Sequence, residues 1–356
     1  MIYQKKIYKS KLFDKNINIK CIYLLNILLI VIFFTVNKSE QKKPKISIFL
    51  PIYNKEKYIV NAIHSIQNQT LKDIEIVAIN DYSNDNSLKK IIDLSKDDDR
   101  IKIINNDKNH GLLYSRAMGI LNSRGEYLIN LDPDDEFKDN ECLEYLYNQT
   151  INSNVDIISF DILNKKHKII VNCKKGDKIQ RQKELFYSIF DKNNVIEDYL
   201  ITNKLIKRKI FLKAYEDFKK EIYNGKWNYF EDLIWSILVN QHAKSKLCIN
   251  KLVYIYNFNK DSLKNKKSLN LYYKNELYFL EMNKKIFKSK EEEKYLIGAY
   301  CLIINDLNNS IKYLSKINDN SIKKGIIIVF NHALKNYNFS KEQRYYINNF
   351  LNLLNT

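Results

Sequence analysis

From residue 46 onward, short apolar runs alternate with stretches whose apolar positions recur at helical spacing. Ile46-Ser47-Ile48-Phe49-Leu50 predicts a strand stopped by Pro51, and Tyr58 to Gln69 a helix. Ile74 to Ile79 predicts a second strand, which ends at Asn80-Asp81. Ser83 to Lys96 follows as a helix capped by Ser83 or Asn84. Ile101 to Ile104, Leu112 to Ser123 and Tyr127 to Leu131 continue as strand, helix and strand. Such alternation implies a parallel sheet with helices on both faces, and ligands of such sheets bind outside the carboxyl ends of the strands. Asp81 and the run Asp132 to Asp135 both fall at carboxyl ends, on one rim.

Beyond Asp135 the pattern predicts a helix over 140–152 and a strand over 156–160. The Lys-rich stretch 164–181 reads as a variable loop or hairpin, and 205–218 is apolar and basic. A helix begins at Phe230 with Glu231 and Asp232 in its first turn, where negative charge suits the helix dipole. Residues 247–256 are strand-like, and helical spacing runs from Ser268 to the end, so 264–356 reads as a helical C-terminal extension. The whole is an α/β chain with a mostly parallel sheet. Ahead of it, residues 1–20 are basic and 21–36 carry no charge, close to the lower limit of roughly 17 residues for a membrane span. The expectation is a single membrane anchor with a cytosolic N-terminus, since a basic flank stays inside, and a short polar stem over 37–45. In a eukaryote the rest would face the ER or Golgi lumen. A cleaved signal peptide and a buried core helix are the competing readings.

Composition changes this picture little. The formal charge of +18 would point to an anionic partner. The lysines are spread along the chain, however, and Ile, Asn and Tyr are inflated with them, as a nucleotide-composition bias would do, so nucleic acid is not expected. Cys21, Cys142, Cys173, Cys248 and Cys301 are too far apart for a zinc or dithiol motif. Five Asn-x-Ser/Thr sites (Asn37, Asn68, Asn148, Asn308, Asn338) occur in a chain so rich in Asn that most are coincidental.

The informative chemistry is Asn130-Leu131-Asp132-Pro133-Asp134-Asp135-Glu136. Carboxylates packed at a strand end repel one another unless a cation sits among them, and Mg²⁺ or Mn²⁺ commonly bridges one or two carboxylates to substrate phosphates. An acidic turn closing the strand is the plain alternative.

Six pieces in order resemble glycosyltransferase family 2. They are Leu50-Pro51-Ile52-Tyr53-Asn54, Asn80-Asp81-Tyr82-Ser83-Asn84-Asp85, Asn109-His110-Gly111 with Arg116, Gly125 through Asp135, Asn203 through Phe211, and Phe230-Glu231-Asp232-Leu233. The resemblance implies a GT-A domain over 46–263 and an inverting transfer of a sugar from a nucleotide donor, usually UDP, to a hydroxyl of a glycan, lipid or protein. It implies that Pro51, Tyr53, Asn54 and Asp81 bind the nucleotide, with Tyr53 stacking on the base and Asp81 accepting from it. Arg116 would face the diphosphate or support the acidic rim. Asp132 would contact ribose or metal, Asp134 would ligate Mn²⁺ or Mg²⁺, and Asp135 would support the metal shell. Asp232 would be the base, with Glu231 its substitute or an acceptor contact; Lys204 and Tyr256 are weaker candidates. Two positions depart from the family pattern: Tyr82 stands where Gly is common, and Ala117 where Asn often follows the Arg. The alternatives are a nucleotidyltransferase, for which the Gly-rich phosphate loop is absent, and a binding module that has kept the fold without turnover.

Overall fold

The computed structural model describes residues 43–164, 169–171, 179–181, 199–224, 231–257 and 341–355, together with Asn26 and scattered positions between 327 and 339. Contacts divide the chain into residues 1–43 and residues 44–356.

Among the described residues, the second unit holds a sheet of ten strands. On one side, β1 (Ile46–Ile52), β2 (Ile74–Asn80), β3 (Ile101–Asn105) and β4 (Tyr127–Asn130) are parallel, in the spatial order β3-β2-β1-β4. The helices α1 (Ile59–Gln67), α2 (Ser87–Ser95) and α3 (Leu112–Asn122) connect them, as the alternating pattern requires. Then come β5 (Glu136–Phe137), α4 (Cys142–Ser153), β6 (Ile157–Asn164), β7 (Ile169–Val171) and β8 (Ile179–Arg181). The last part holds β9 (Lys204–Lys207), α5 (Arg208–Asn224), α6 (Glu231–His242), β10 (Ser245–Tyr256) and α7 (Lys341–Asn355). The order continues β4-β9-β6-β10-β5, and β9 runs antiparallel to both of its neighbours.

Alternation along β1 sets the two layers. Ile46, Ile48, Leu50 and Ile52 point into one core with Ile59, Ala62, Ile63 and Ile66 of α1 and with Ile74, Ile76 and Ala78 of β2. Phe49 points to the opposite face. It meets Phe211 of α5 edge-on at 6.0 Å, and Phe211 meets Trp235 of α6 at 6.0 Å. Helix α3 lies close on the same face: a Cβ on Gly119 would come within 2.7 Å of the Phe49 ring, so this crossing requires glycine. Helices therefore cover both faces, and α3, α5 and α6 share one.

Several expectations need correction. Pro51 does not stop β1; it lies buried inside the strand opposite Ile79, and pairing continues to Ile52. Helix α2 starts at Ser87, without a side-chain cap, because 83–86 are taken up in a turn bonded to residues 54–56. Within the stretch 164–181, β7 pairs antiparallel with β6, the strand just before it, as a hairpin would, whereas β8 pairs with β10. The strand β9 and the boundary between it and α5 were hidden inside one apolar and basic run. The single-pass membrane reading is also overturned. Among the described residues no helix is long and apolar enough to cross a membrane, a crossing that takes about 20 apolar residues. The run 21–36 lies outside the described residues apart from Asn26, which is exposed. The predicted helices between 268 and 326 lie outside them too. Cys142 is a buried free thiol.

Candidate active site

Strands β1, β2 and β4 are parallel, so their carboxyl ends share one rim. Asp81, one residue past β2, is buried there, and neutral donors hold its carboxylate. Oδ1 accepts from Asn106 Nδ2 and from the His110 amide, each at 2.9 Å, and Oδ2 accepts from the Gly111 amide at 2.9 Å. Gly111 has φ 93°, which glycine adopts without strain, and it immediately precedes α3. Asp81 thus fixes the start of the helix that carries Arg116.

On α3, Leu113, Arg116, Ala117 and Ile120 form the buried face, so a guanidinium stands in an otherwise apolar stripe. Arg116 is 1% exposed. Its Nη1 donates to Asp232 Oδ1 at 2.7 Å and lies 3.7 Å from Glu231 Oε1, while Nη2 is 3.4 Å from Asp132 Oδ1. Burial opposes its charge, but Asp232, Asp132 and Glu231 outweigh it and hold the group firmly protonated. This one side chain brings Asp132, at the end of β4, together with the first turn of α6. The packing that makes this possible is the shared face of α3, α5 and α6.

Around it the charges are dense. Glu231 is buried and its Oε2 has no hydrogen-bond partner; burial, then Asp232, push its carboxyl up to about 7 against the pull of Arg116. Lys204, the first residue of β9, is also buried. Its amine donates to the Leu200 carbonyl and to Asn203 Oδ1 at 2.9 Å, and burial lowers it to about 7 although Asp232 pulls the other way. Asp232 is 22% exposed at its side chain, so it remains accessible from the cleft; its Oδ1 also accepts from the Ile201 amide at 3.3 Å.

The acidic run after β4 splits by environment. Asp132 Oδ1 accepts from Asn130 Nδ2 at 2.9 Å. Asp135 points inward, where Oδ2 accepts from the Tyr254 hydroxyl at 2.7 Å and Oδ1 from the Asn257 amide at 2.8 Å. Burial first, then the charges of Asp132 and Asp134, push the Asp135 carboxyl up to about 8. Tyr254 also accepts from the Asp132 amide at 3.1 Å, so it ties the acidic loop to β10. Asp134 Oδ2 lies 2.6 Å from Lys55 Nζ.

A divalent cation suits this donor set. Among the described residues no group of three or more His, Cys, Asp or Glu side chains is arranged to hold a metal. Mg²⁺ and Mn²⁺ need no such cage, because they take one or two carboxylates and fill the remaining positions with water and phosphate oxygens. Asp134 carries the Lys55 ammonium at 2.6 Å.

Of the remaining sequence candidates, Tyr53 and Tyr82 are exposed at the rim, at 40% and 52%. Tyr82 has φ 61°, the left-handed conformation that accounts for glycine being common at this position, and Asn54 has φ 52°. Asn54 Oδ1 accepts from the Asn84 amide at 2.8 Å, joining the ends of β1 and β2. Tyr256 is half-buried at the end of β10. Ala117 is buried in the α3 stripe rather than lining the cleft. Sequence reasoning overlooked Lys55, Tyr254, Asn106 and Asn257. Each is an ordinary residue in a chain rich in Lys, Tyr and Asn, and no local pattern marks it.

Residues 47–213 match the family model described as Glycosyl transferase family 2. The chain is 34% identical over 113 residues to "Glycosyltransferase GlyG" of Streptococcus pneumoniae, covering 32% of this chain and 37% of that protein. It is 29% identical over 320 residues to an "Uncharacterized glycosyltransferase" of Haemophilus influenzae, covering 80% of this chain and 95% of the relative. It is 39% identical over 94 residues to a Campylobacter jejuni protein named "GalNAc(5)-diNAcBac-PP-undecaprenol beta-1,3-glucosyltransferase", covering 26% and 30%. The match therefore spans about a third of two of these relatives and nearly all of the third. Among solved structures, Staphylococcus aureus TarS 1-349 in complex with UDP-GlcNAc superposes with a TM-score of 0.60 at 14% identity over 87% of this chain and 90% of that one, a likeness of fold.

Proposed function

The chain belongs to glycosyltransferase family 2, and from that premise we propose that it transfers a sugar, with inversion, from a nucleotide diphosphate donor to an acceptor hydroxyl. The donor is a UDP-sugar in this reading; the named activity of the Campylobacter relative and the UDP-GlcNAc carried by the TarS structure support it. The observation that carries the proposal is the Arg116 bridge. It joins the strand-end carboxylate expected on the donor side, Asp132, to the helix-start carboxylate expected on the acceptor side, Asp232.

The roles follow from position. Tyr53 and Asn54 stand at the exposed rim where the base enters, with Pro51 behind them and Asp81 bracing the floor. Asp134, with Asp132 beside it, would hold Mn²⁺ or Mg²⁺, which neutralises the diphosphate as it leaves. Asp232 presents Oδ2 to the acceptor while Arg116 fixes Oδ1. As the hydroxyl oxygen bonds to the anomeric carbon, its proton passes to that carboxylate. Attack from the side opposite the diphosphate inverts the anomeric centre. Glu231 lies beside the base, where it contacts the acceptor.

A nucleotide-release assay over a panel of UDP-sugars, with Mn²⁺ or with chelator, tests the proposal. Metal-dependent UDP release that needs an acceptor supports it, and so does its loss, together with weaker nucleotide binding, in Asp134→Ala. Full turnover in Asp134→Ala removes the metal role. Release of inorganic diphosphate instead of UDP would make the protein a nucleotidyltransferase.

A further inference from the structure

We propose that Lys55 is an internal counter-ion of the Asp134 carboxylate and must be displaced before a divalent cation can bind there. This rests on the reading of Asp134 as the cation ligand. Lys55 Nζ lies 2.6 Å from Asp134 Oδ2, and the two side chains are only 20% and 14% exposed. The pair spans 79 residues of sequence, so the fold, and no local turn, brings it together.

The lysine is held in place. Three successive amides around it are each bonded to a side chain of the loop before α2 or of its first residue. Asn54 N donates to Ser83 Oγ at 3.1 Å, Lys55 N to Ser87 Oγ at 2.7 Å, and Glu56 N to Asp85 Oδ2 at 3.0 Å. The backbone that carries the amine is thus fastened to the same rim that carries Asp81. Because both side chains are mostly shielded from water, the pair is screened less than a surface ion pair, and the ammonium competes better for the carboxylate.

The consequence is a preference for cation and donor together. A bare cation must displace Lys55 and leave its amine without Asp134 in a partly buried position, which is costly. When a diphosphate arrives with the cation, its oxygens offer the displaced ammonium a new partner. The two ligands then favour each other by more than their direct contact, and the coupling is reciprocal.

The test is Mn²⁺ affinity, read by electron paramagnetic resonance on the full chain with and without UDP. Lys55→Met and Lys55→Gln should each bind Mn²⁺ about tenfold tighter than wild type without UDP, and UDP should then raise their affinity by a smaller factor than it does for wild type. Lys55→Arg, which keeps the charge, should behave as wild type does. An affinity in Lys55→Met and Lys55→Gln equal to or below that of wild type overturns the proposal. Adding Asp134→Asn to Lys55→Met separates the two readings. Mn²⁺ binding that survives this change, or is absent from every variant, means that Asp134 is not the cation ligand. Binding that is lost with Asp134 but insensitive to Lys55 defeats the counter-ion proposal alone.

Discussion

The two sides of the cleft hold their carboxylates by different means. At the end of β2, Asp81 is gripped by three neutral donors: a side-chain amide and the two backbone amides that lead into α3. Across the cleft, Glu231 and Asp232 face one buried guanidinium that comes from 116 residues away in sequence. Neutral donors close to a strand end distribute the work over several bonds, each modest. A buried guanidinium facing three carboxylates concentrates it. The first side is a scaffold that tolerates change, and the second depends on a single residue.

Arg116→Met breaks the comparison hardest. It leaves Asp132, Glu231 and Asp232 without their shared counter-charge and should cost about 3–5 kcal/mol, measured as the shift in a urea unfolding curve at neutral pH. A cost below about 1 kcal/mol would mean that the bridge does not hold the two sides together.

Acid probes another buried carboxylate of β2, at the amino end of the strand and away from the cleft. Glu75 of β2 accepts from Ser47 Oγ at 2.5 Å, from Arg124 Nε at 3.1 Å and from the amides of Arg124 and Gly125. Burial alone would raise its carboxyl, but the bonds from Ser47 and Arg124 prevail and hold it below the usual 4.5. Stability from a lowered carboxyl is present above its unfolded value and is lost as pH falls through the folded one. Glu75→Gln should therefore be about 1–3 kcal/mol less stable than wild type at pH 7, and the gap should close on acidification below about pH 4. Unfolding midpoints at the two pH values check this; a gap that widens in acid would contradict it.

Tyr82 gives the smallest effect. A left-handed aromatic residue costs about 1 kcal/mol, so Tyr82→Gly should raise stability by up to about that amount while removing an exposed ring from the donor rim. Melting temperature reads the first effect and UDP affinity the second. A lower melting temperature would show that the ring stabilises the fold.

The same contrast decides what could be read without a structure. The donor side is built of consecutive strand–loop–helix units, so Asp81 and the run 132–135 could be assigned to one rim from alternation alone. The side carrying Glu231 and Asp232 depends on β9, a four-residue strand inserted antiparallel between β4 and β6. Its apolar and basic residues merged with α5 in the periodicity, so neither the burial of Lys204 nor the approach of α6 to α3 was visible. Asp232 could be located only through the family pattern. Lys55 and Tyr254 lie outside any motif, and their importance comes from contacts spanning 79 and 119 residues. For Arg116 the sequence allows two positions, facing the diphosphate or supporting the acidic rim; its pairs with Asp132 and Asp232 set it at the rim.

The most direct test of the central claim is Asp232→Asn, which keeps the size of the side chain and removes its capacity as a base. Calorimetry with UDP and Mn²⁺ should show binding close to that of wild type, while sugar transfer falls by about a thousandfold. Transfer that survives in this variant would contradict the account, because the acceptor side of the cleft would then owe nothing to the carboxylate that Arg116 holds in place.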